Sequence, residues 1–212
     1  MATINSLLEL ARRQLGVKED PPGSNKVKYN TWYYGREVSG AAYPWCMVFV
    51  QWVFDRASVK LPTRTASCGV LMRAAQAAGC WVTKGYRPGD VVIYDFPGGA
   101  ATDHCGIVEA VDGSRVSAIE GNTSAASDAD GGAVERRTRR LSLIAGAVRP
   151  TFDEEVEEMR YNTVAECPDW ARETVQKLID KGYLGGDGQS LDLSRDMVRI
   201  LVIQDRAGSF DQ

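Results

Sequence analysis

The stretch Tyr43-Pro44-Trp45-Cys46-Met47-Val48-Phe49-Val50-Gln51-Trp52-Val53-Phe54 constrains this chain more than any other. Ten of its twelve residues are apolar or aromatic, so it cannot present a solvated face and the fold must enclose it. A Pro near the start of such a run marks the opening of a helix buried on most sides. The first turn of a helix carries unpaired N–H groups and the positive end of its dipole, and both favour an anion. A cysteine there has its thiolate stabilised and becomes a nucleophile near neutral pH. Read alone, the stretch equally allows Cys46 to be one more small buried hydrophobe.

A chain of 212 residues with 44% hydrophobic and 25% charged residues can build one good core and a small second module. Its formal charge of −3 argues against nucleic acid or anionic lipid as the main partner. The N-terminal residues lack the basic segment and apolar core of a secretory signal, so synthesis in the cytoplasm and some other route to the cell exterior are expected. No apolar run approaches the ~20 residues of a membrane span. The five cysteines form an odd set without a C-x-x-C pair, which predicts no disulfide framework. Cys68, Cys80 and Cys105 are widely spaced, so neither a metal site nor any other cofactor is expected. There is one histidine. If cysteine chemistry needs an imidazole, only His104 can supply it.

Along the chain, residues 4–15 carry a helical apolar period and stop at Gly16. Tyr29, Trp32, Tyr33 and Tyr34 crowd residues 25–35; the segment reads as a mixture of core and cleft wall, with Trp32, Tyr33 and Trp45 as candidates for contacting a sugar- or peptide-like ligand. Helices follow over 44–57 and 68–78. From Arg87 the pattern turns to strands: 91–94 after the turn Pro88-Gly89-Asp90, then 106–111 and 114–119 about Asp112-Gly113, with 139–150 closing the sheet. Residues 97–102 form a loop leading to Asp103-His104, and residues 123–132 read as a mobile loop. Residues 151–160 read as a solvated acidic linker. Beyond it come a helix to about Lys181 and a second one capped by Ser194.

A Cys–His enzyme needs a thiol, an imidazole and a group that orients the imidazole. Strand alternation tests whether residues 104, 120 and 122 can meet. A two-residue loop Asp112-Gly113 pairs 104 with 121 and turns Glu120 and Asn122 away from His104. A three-residue loop Val111-Asp112-Gly113 puts His104 opposite Glu120, with Asn122 diagonal on the same face. Both are allowed; the site requires an odd loop.

Tyr43-Pro44-Trp45-Cys46 entering an apolar helix, Pro88-Gly89-Asp90-Val91-Val92 opening a strand, Asp103-His104-Cys105-Gly106-Ile107-Val108 and Ile119-Glu120-Gly121-Asn122-Thr123 together resemble the CHAP family, the cysteine, histidine-dependent amidohydrolases/peptidases. The resemblance covers roughly residues 3–150. It implies an α+β, papain-like fold with N-terminal helices and an antiparallel sheet. It also implies Cys46 as nucleophile, His104 as base, Glu120 as orienting acid and Asn122 as a further polar member. Family members mostly cleave bacterial peptidoglycan, at the sugar–peptide amide or within the peptide; many are phage endolysins, released through a membrane pore without a signal peptide. Papain has a glutamine six positions before its cysteine where this chain has Gly40, which leaves the Cys46 N–H and Tyr43 as oxyanion donors. Some CHAP domains carry an acidic calcium loop; here Glu19 and Asp20 beside two prolines offer too few oxygens.

The expected organisation is a catalytic domain over 1–150, a linker over 151–160 and a small helical module over 161–212. The second module helix, with apolar residues at 197, 198, 200, 201, 202 and 203, leaves little room for a polar face. It must dock on the catalytic domain, bind a wall ligand or pair with a second copy, and the aliphatic character of the patch favours a homodimer. The expected function is a peptidoglycan hydrolase. The alternatives are a wall-binding or scaffold protein that keeps the fold, and an amidase for a small molecule. Glu120→Gln is expected to lower the rate more than the stability.

Overall fold

The computed structural model describes residues 2–97, 102–125, 131–153, 159–185 and 190–211, and the chain divides into two units, Met1–Glu155 and Val156–Gln212. In the first unit, α1 (Ile4–Arg12) opens on a reciprocal cap in which the Thr3 and Ser6 side chains accept each other's backbone N–H, and it buries Leu7, Leu8 and Ala11. Helix α2 (Lys28–Tyr34) ends at Gly35 in the left-handed conformation, φ +69°. Helix α3 (Cys46–Arg56) is the apolar run, buried from Cys46 through Gln51 and again at Val53 and Phe54. Helix α4 (Cys68–Ala77) is capped by Ser67, whose hydroxyl accepts from the Val70 N–H.

The helices are followed by β1 (Trp81–Val82), β2 (Val91–Tyr94), β3 (His104–Asp112), β4 (Arg115–Thr123), β5 (Ala133–Arg140) and β6 (Ile144–Val148), paired in the order β1-β6-β2-β3-β4-β5. Every ladder is antiparallel, and the class is α+β. Helices cover one face: Val91, Ile93, Cys105, Ile107 and Ile119 join the core built on α3. Alternation sends Val92, Tyr94, Val108, Val116 and Ala118 to a smaller core on the other face. Asp90 is clamped by Arg149, with Nε donating to Oδ1 at 3.0 Å and Nη2 to Oδ2 at 2.7 Å. That pair fixes the turn ahead of β2 against the strand that neighbours it.

The β3–β4 hairpin corrects the expected loop. Asp112 pairs with Arg115 across a two-residue loop, Gly113-Ser114, with Gly113 at φ +53°. An unbroken ladder from that turn would put Glu120 on the face away from His104. Glu109 is instead an extra residue between the pairs Ala110↔Ser117 and Val108↔Ala118, a bulge that moves the register by one. Beyond it, His104 shares a face with Glu120. The two side chains meet through an even loop plus a bulge, where an odd loop was expected.

Residues 151–153 do not behave as a solvated linker. The Asp153 N–H donates to the Ala2 carbonyl, and the Phe152 ring lies over Gly89 and Ile4. The acidic residues 154–158 lie outside the described residues, as do 98–101 of the loop before His104, 126–130 of the expected mobile loop and 186–189.

The second unit holds β7 (Arg160–Tyr161), α5 (Asp169–Asp180), β8 (Leu193–Ser194) and α6 (Arg195–Arg206). Its own small core is Tyr161, Cys167, Ala171, Val175, Leu193, Val198 and Val202. Ser194 caps α6 by accepting from the Met197 N–H at 3.2 Å. The expectation that α6 lacks a polar face fails: Arg195, Asp196, Arg199, Gln204 and Arg206 are exposed along it, and Asp205 binds Lys177 and Thr174 of α5 at 2.7 Å each. No helix among the described residues is long and apolar enough to cross a membrane.

Candidate active site

Cys46 is the first residue of α3, and the preceding Trp45 supplies no side-chain cap. The N–H groups of that first turn lie beyond the helix's own ladder and aim their dipoles at the thiol end. Trp45 itself is enclosed, 0% exposed, stacked on Tyr29 with its indole N–H donating to Glu19 Oε1 at 2.8 Å. It anchors the helix start and cannot line a cleft, which removes it from the ligand-contacting candidates. Gly121 of β4 makes this packing possible. A Cβ there would sit 2.6 Å from Phe49 Cβ and 2.8 Å from the Trp45 ring.

His104, the first residue of β3, is fully buried, and its Nε2 lies 3.1 Å from Glu120 Oε2. Glu120 also accepts from Arg139 of β5, Nε to Oε1 at 2.8 Å and to Oε2 at 3.2 Å, and Nη2 to Oε2 at 2.7 Å. The Arg139 guanidinium in turn lies 5.1 Å from the Tyr94 ring and 4.8 Å from that of Phe96. The same two rings stack on His104 at 6.1 and 6.3 Å. Gly106 leaves the space that Glu120 fills; a Cβ there would stand 2.7 Å from Glu120 Cγ.

The electrostatics run as an alternating chain. The neighbouring Cys105 and then Cys68 favour the Cys46 thiolate; with the positive charge of His104 they outweigh burial and hold its pKa well below the usual thiol range. Burial is the largest single influence on His104 and pushes its pKa down. Cys46 and Glu120 together overcome it and raise the imidazole to about 9. Burial pushes Glu120 up, and His104 with Arg139 bring it below its ordinary value. The shifts thus favour a thiolate beside an imidazolium, followed by a carboxylate and a guanidinium. Arg139 is the member the sequence reading missed. Its strand carries no apolar alternation, so the sequence holds no local signal for it.

His104 Nδ1 makes no hydrogen bond of ordinary geometry, which leaves it able to exchange a proton with a bound substrate. Asn122 is fully buried at φ +56°, and neither end of its amide has a hydrogen-bond partner. It lies at the register shift between the pairs Glu120↔Glu135 and Thr123↔Ala133 of β4 and β5, and no hydrogen bond joins it to His104. A buried amide with both ends open is a group awaiting a partner.

Tyr43 has its N–H engaged with the Gly40 carbonyl at 3.1 Å and its carbonyl with Asn30 Nδ2 at 2.9 Å. Only its side chain remains to act as a donor. Trp32 and Tyr33 lie under the Arg64 guanidinium at 5.1 and 4.7 Å. Trp32 lines a hollow with Gln51, Phe54, Leu61 and Arg64, and none of Cys46, His104, Glu120 or Asn122 borders it. The hollow that Trp32 lines is thus separate from the thiol, while Tyr33 packs edge-on against Tyr34, which packs in turn on Tyr43. Cys68 and Cys105 depart from expectation in the other direction: their sulfurs and that of Cys46 lie within 4.8 Å of one another.

No curated protein sequence matches this chain. Among solved structures it is similar to Ly7917, at 19% identity and a TM-score of 0.42 over 70% of this chain and 62% of that one. It is similar to the wild type endolysin LysIME-EF1, at 18% identity and a TM-score of 0.42 over 76% and 70%. A lipoprotein of the NLP/P60 family from Staphylococcus aureus subsp. aureus Mu50 follows at 16% identity and a TM-score of 0.36, over 71% and 42%. The chain thus spans about 62% of the length of the first of these. A family model for the CHAP domain matches residues 38–122. The match takes in Cys46, His104, Glu120 and Asn122 in order.

Proposed function

We propose that this protein hydrolyses an amide bond of bacterial peptidoglycan by a cysteine–histidine mechanism, in the manner of an endolysin. The observation that carries the reading is the buried, hydrogen-bonded set His104–Glu120–Arg139 together with a cysteine at a helix start, which binding alone does not require. The Cys46 thiolate attacks the amide carbon, and the developing oxyanion forms against the N–H groups at the start of α3. Tyr43 can add a hydroxyl donor there. His104 gives its proton to the leaving nitrogen, and a thioester to Cys46 remains. Water then loses a proton to His104 and attacks the thioester, which returns the thiolate and imidazolium. Glu120 holds the ring and its charge, and Arg139 holds Glu120. Asn122, buried with both amide ends open, is read as a further polar member of the same set.

The cleaved bond is either the N-acetylmuramoyl-L-alanine amide or one within the peptide. Mass spectrometry of wall digests separates them: free lactyl carboxyls on muramic acid mark the first, new peptide amines the second. Digests by Cys46→Ala should contain neither product, and turnover by that folded variant would end the reading.

The second unit adds a proposal about partners. Met197, Ile200 and Ile203 are exposed on one stripe of α6 while Val198 and Val202 are buried. A second copy of the chain covers that stripe by two-fold pairing.

A further inference from the structure

Cys46, Cys68 and Cys105 are far apart in sequence, yet their Sγ atoms all lie within 4.8 Å of one another. Cys46 opens α3, Cys68 opens α4 and Cys105 is the second residue of β3. Two helix N-termini thus point thiols at one spot, where both dipoles favour sulfur in its anionic form. The cluster is enclosed, with Cys105 at 0%, Cys68 at 6% and Cys46 at 7% exposure. Beside it stands a second observation: His104 Nδ1, buried and without a hydrogen bond, on a ring whose other nitrogen is held by a carboxylate at 3.1 Å. Zinc sites use that outer arrangement to orient a histidine ligand.

Hydrolysis uses one of these three sulfurs. Three thiolates around a tetrahedral ion stand about 3.8 Å apart, from a zinc–sulfur bond of about 2.3 Å. The cluster needs a closure of about 1 Å or less to reach that geometry. Soft sulfur donors select zinc, cadmium or copper(I) over calcium and magnesium, which take oxygen. We propose that Cys46, Cys68 and Cys105 form a three-thiolate site for a single soft cation of the zinc class, with the fourth position left to water or His104, and that the ion withdraws the nucleophile from reaction. Binding displaces the protons of Cys68 and Cys105, and also the Nδ1 proton where His104 takes the fourth position, and forms three metal–sulfur bonds; no electron transfer is involved. The site stands whatever bond Cys46 cleaves, so its test is read on the thiols.

The experiment uses the reduced full chain. Titration with Cd²⁺ should saturate at one ion per chain with a cadmium–thiolate charge-transfer band of three-sulfur intensity. One equivalent of Zn²⁺ should block alkylation of Cys46 by iodoacetamide, and a chelator should restore it; Mg²⁺ and Ca²⁺ should give no protection. Cys68→Ser should keep the fold by circular dichroism and weaken Zn²⁺ at least about tenfold, the loss that removal of even an outer-sphere partner reaches. Cys80→Ala should change nothing, since Cys80 lies outside the cluster. A band of fewer than three sulfurs in the unmutated chain overturns the site without reference to any variant. Equal alkylation of Cys46 with and without Zn²⁺ overturns it as well.

Discussion

At the scale of single residues, the site works through charges that hold one another in place. Removing Cys46 or His104 should lower wall lysis by at least about 10³-fold, since nucleophile and base act as a unit; turbidity assays on Cys46→Ala and His104→Ala check this. Glu120 has a second duty that the sequence reading did not include. It pairs with Arg139, whose side chain is 5% exposed, so Glu120→Gln takes a buried carboxylate away from that guanidinium. The expectation that this variant loses rate more than stability is therefore replaced. Both should fall, the stability by about 3–5 kcal/mol, as chemical denaturation would measure. The pH dependence follows from the imidazole. A pKa raised from 6.5 to about 9 means that His104 contributes stability below pH 6.5 and loses it as pH rises through about 9. Activity should follow the same limb, level through neutrality and falling above pH 9, because the imidazolium supplies the leaving-group proton. A rate profile still rising at pH 10 would contradict this assignment.

Among elements, the close approaches are set by glycines and one bulge. Gly106→Ala places a methyl where Glu120 Cγ stands, and the carboxylate must shift relative to His104. A displacement of about 1 Å in such a set lowers kcat/KM by about 10²-fold. Steady-state kinetics on a folded Gly106→Ala variant tests it, and an unchanged kcat/KM would show that the Glu120 position is not critical. The elements also show what the sequence could and could not disclose. Helix α3 was legible because ten apolar residues in twelve leave a chain no other option, and β2 because four buried residues follow a Pro-Gly-Asp turn. Strand β5 was not. Its residues Ala133-Val134-Glu135-Arg136-Arg137-Thr138-Arg139-Arg140 lack an apolar alternation, since one of its inward positions is an arginine matched to a buried acid. The bulge at Glu109 was equally hidden. Glu109 is held by Arg12 from α1 and Arg136 from β5, partners that only the folded sheet brings near. The cysteine cluster was missed for the same reason, because sequence spacing says nothing about where two helix starts and a strand converge.

For the molecule as a whole, the second unit raises a question of magnitude. Read from sequence, α6 offers four contiguous aliphatic residues for burial. The structure encloses Val202 and half-buries Leu201 within the unit, so the stripe left for a partner is Met197, Ile200 and Ile203 at 46, 55 and 67% exposure. Each side chain is already partly covered, and completing the burial of all three contributes on the order of 3–5 kcal/mol per chain. A symmetric pair doubles that, against an association cost of about 4–15 kcal/mol. The balance favours a weak, concentration-dependent dimer over a permanent one. Sedimentation or light scattering of the full chain should show mass rising with concentration through the micromolar range. Ile200→Glu and Ile203→Glu, both on the exposed face, should hold the protein monomeric without moving its melting temperature. A monomer at all concentrations would remove the pairing and leave the stripe free for another partner. A tight dimer that survives both substitutions would place the contact on a different surface. Wall lysis by the monomeric variants then separates assembly from catalysis: the charge chain around Cys46 is complete within one copy, so their rate per chain on soluble muropeptides should equal that of the unmutated protein.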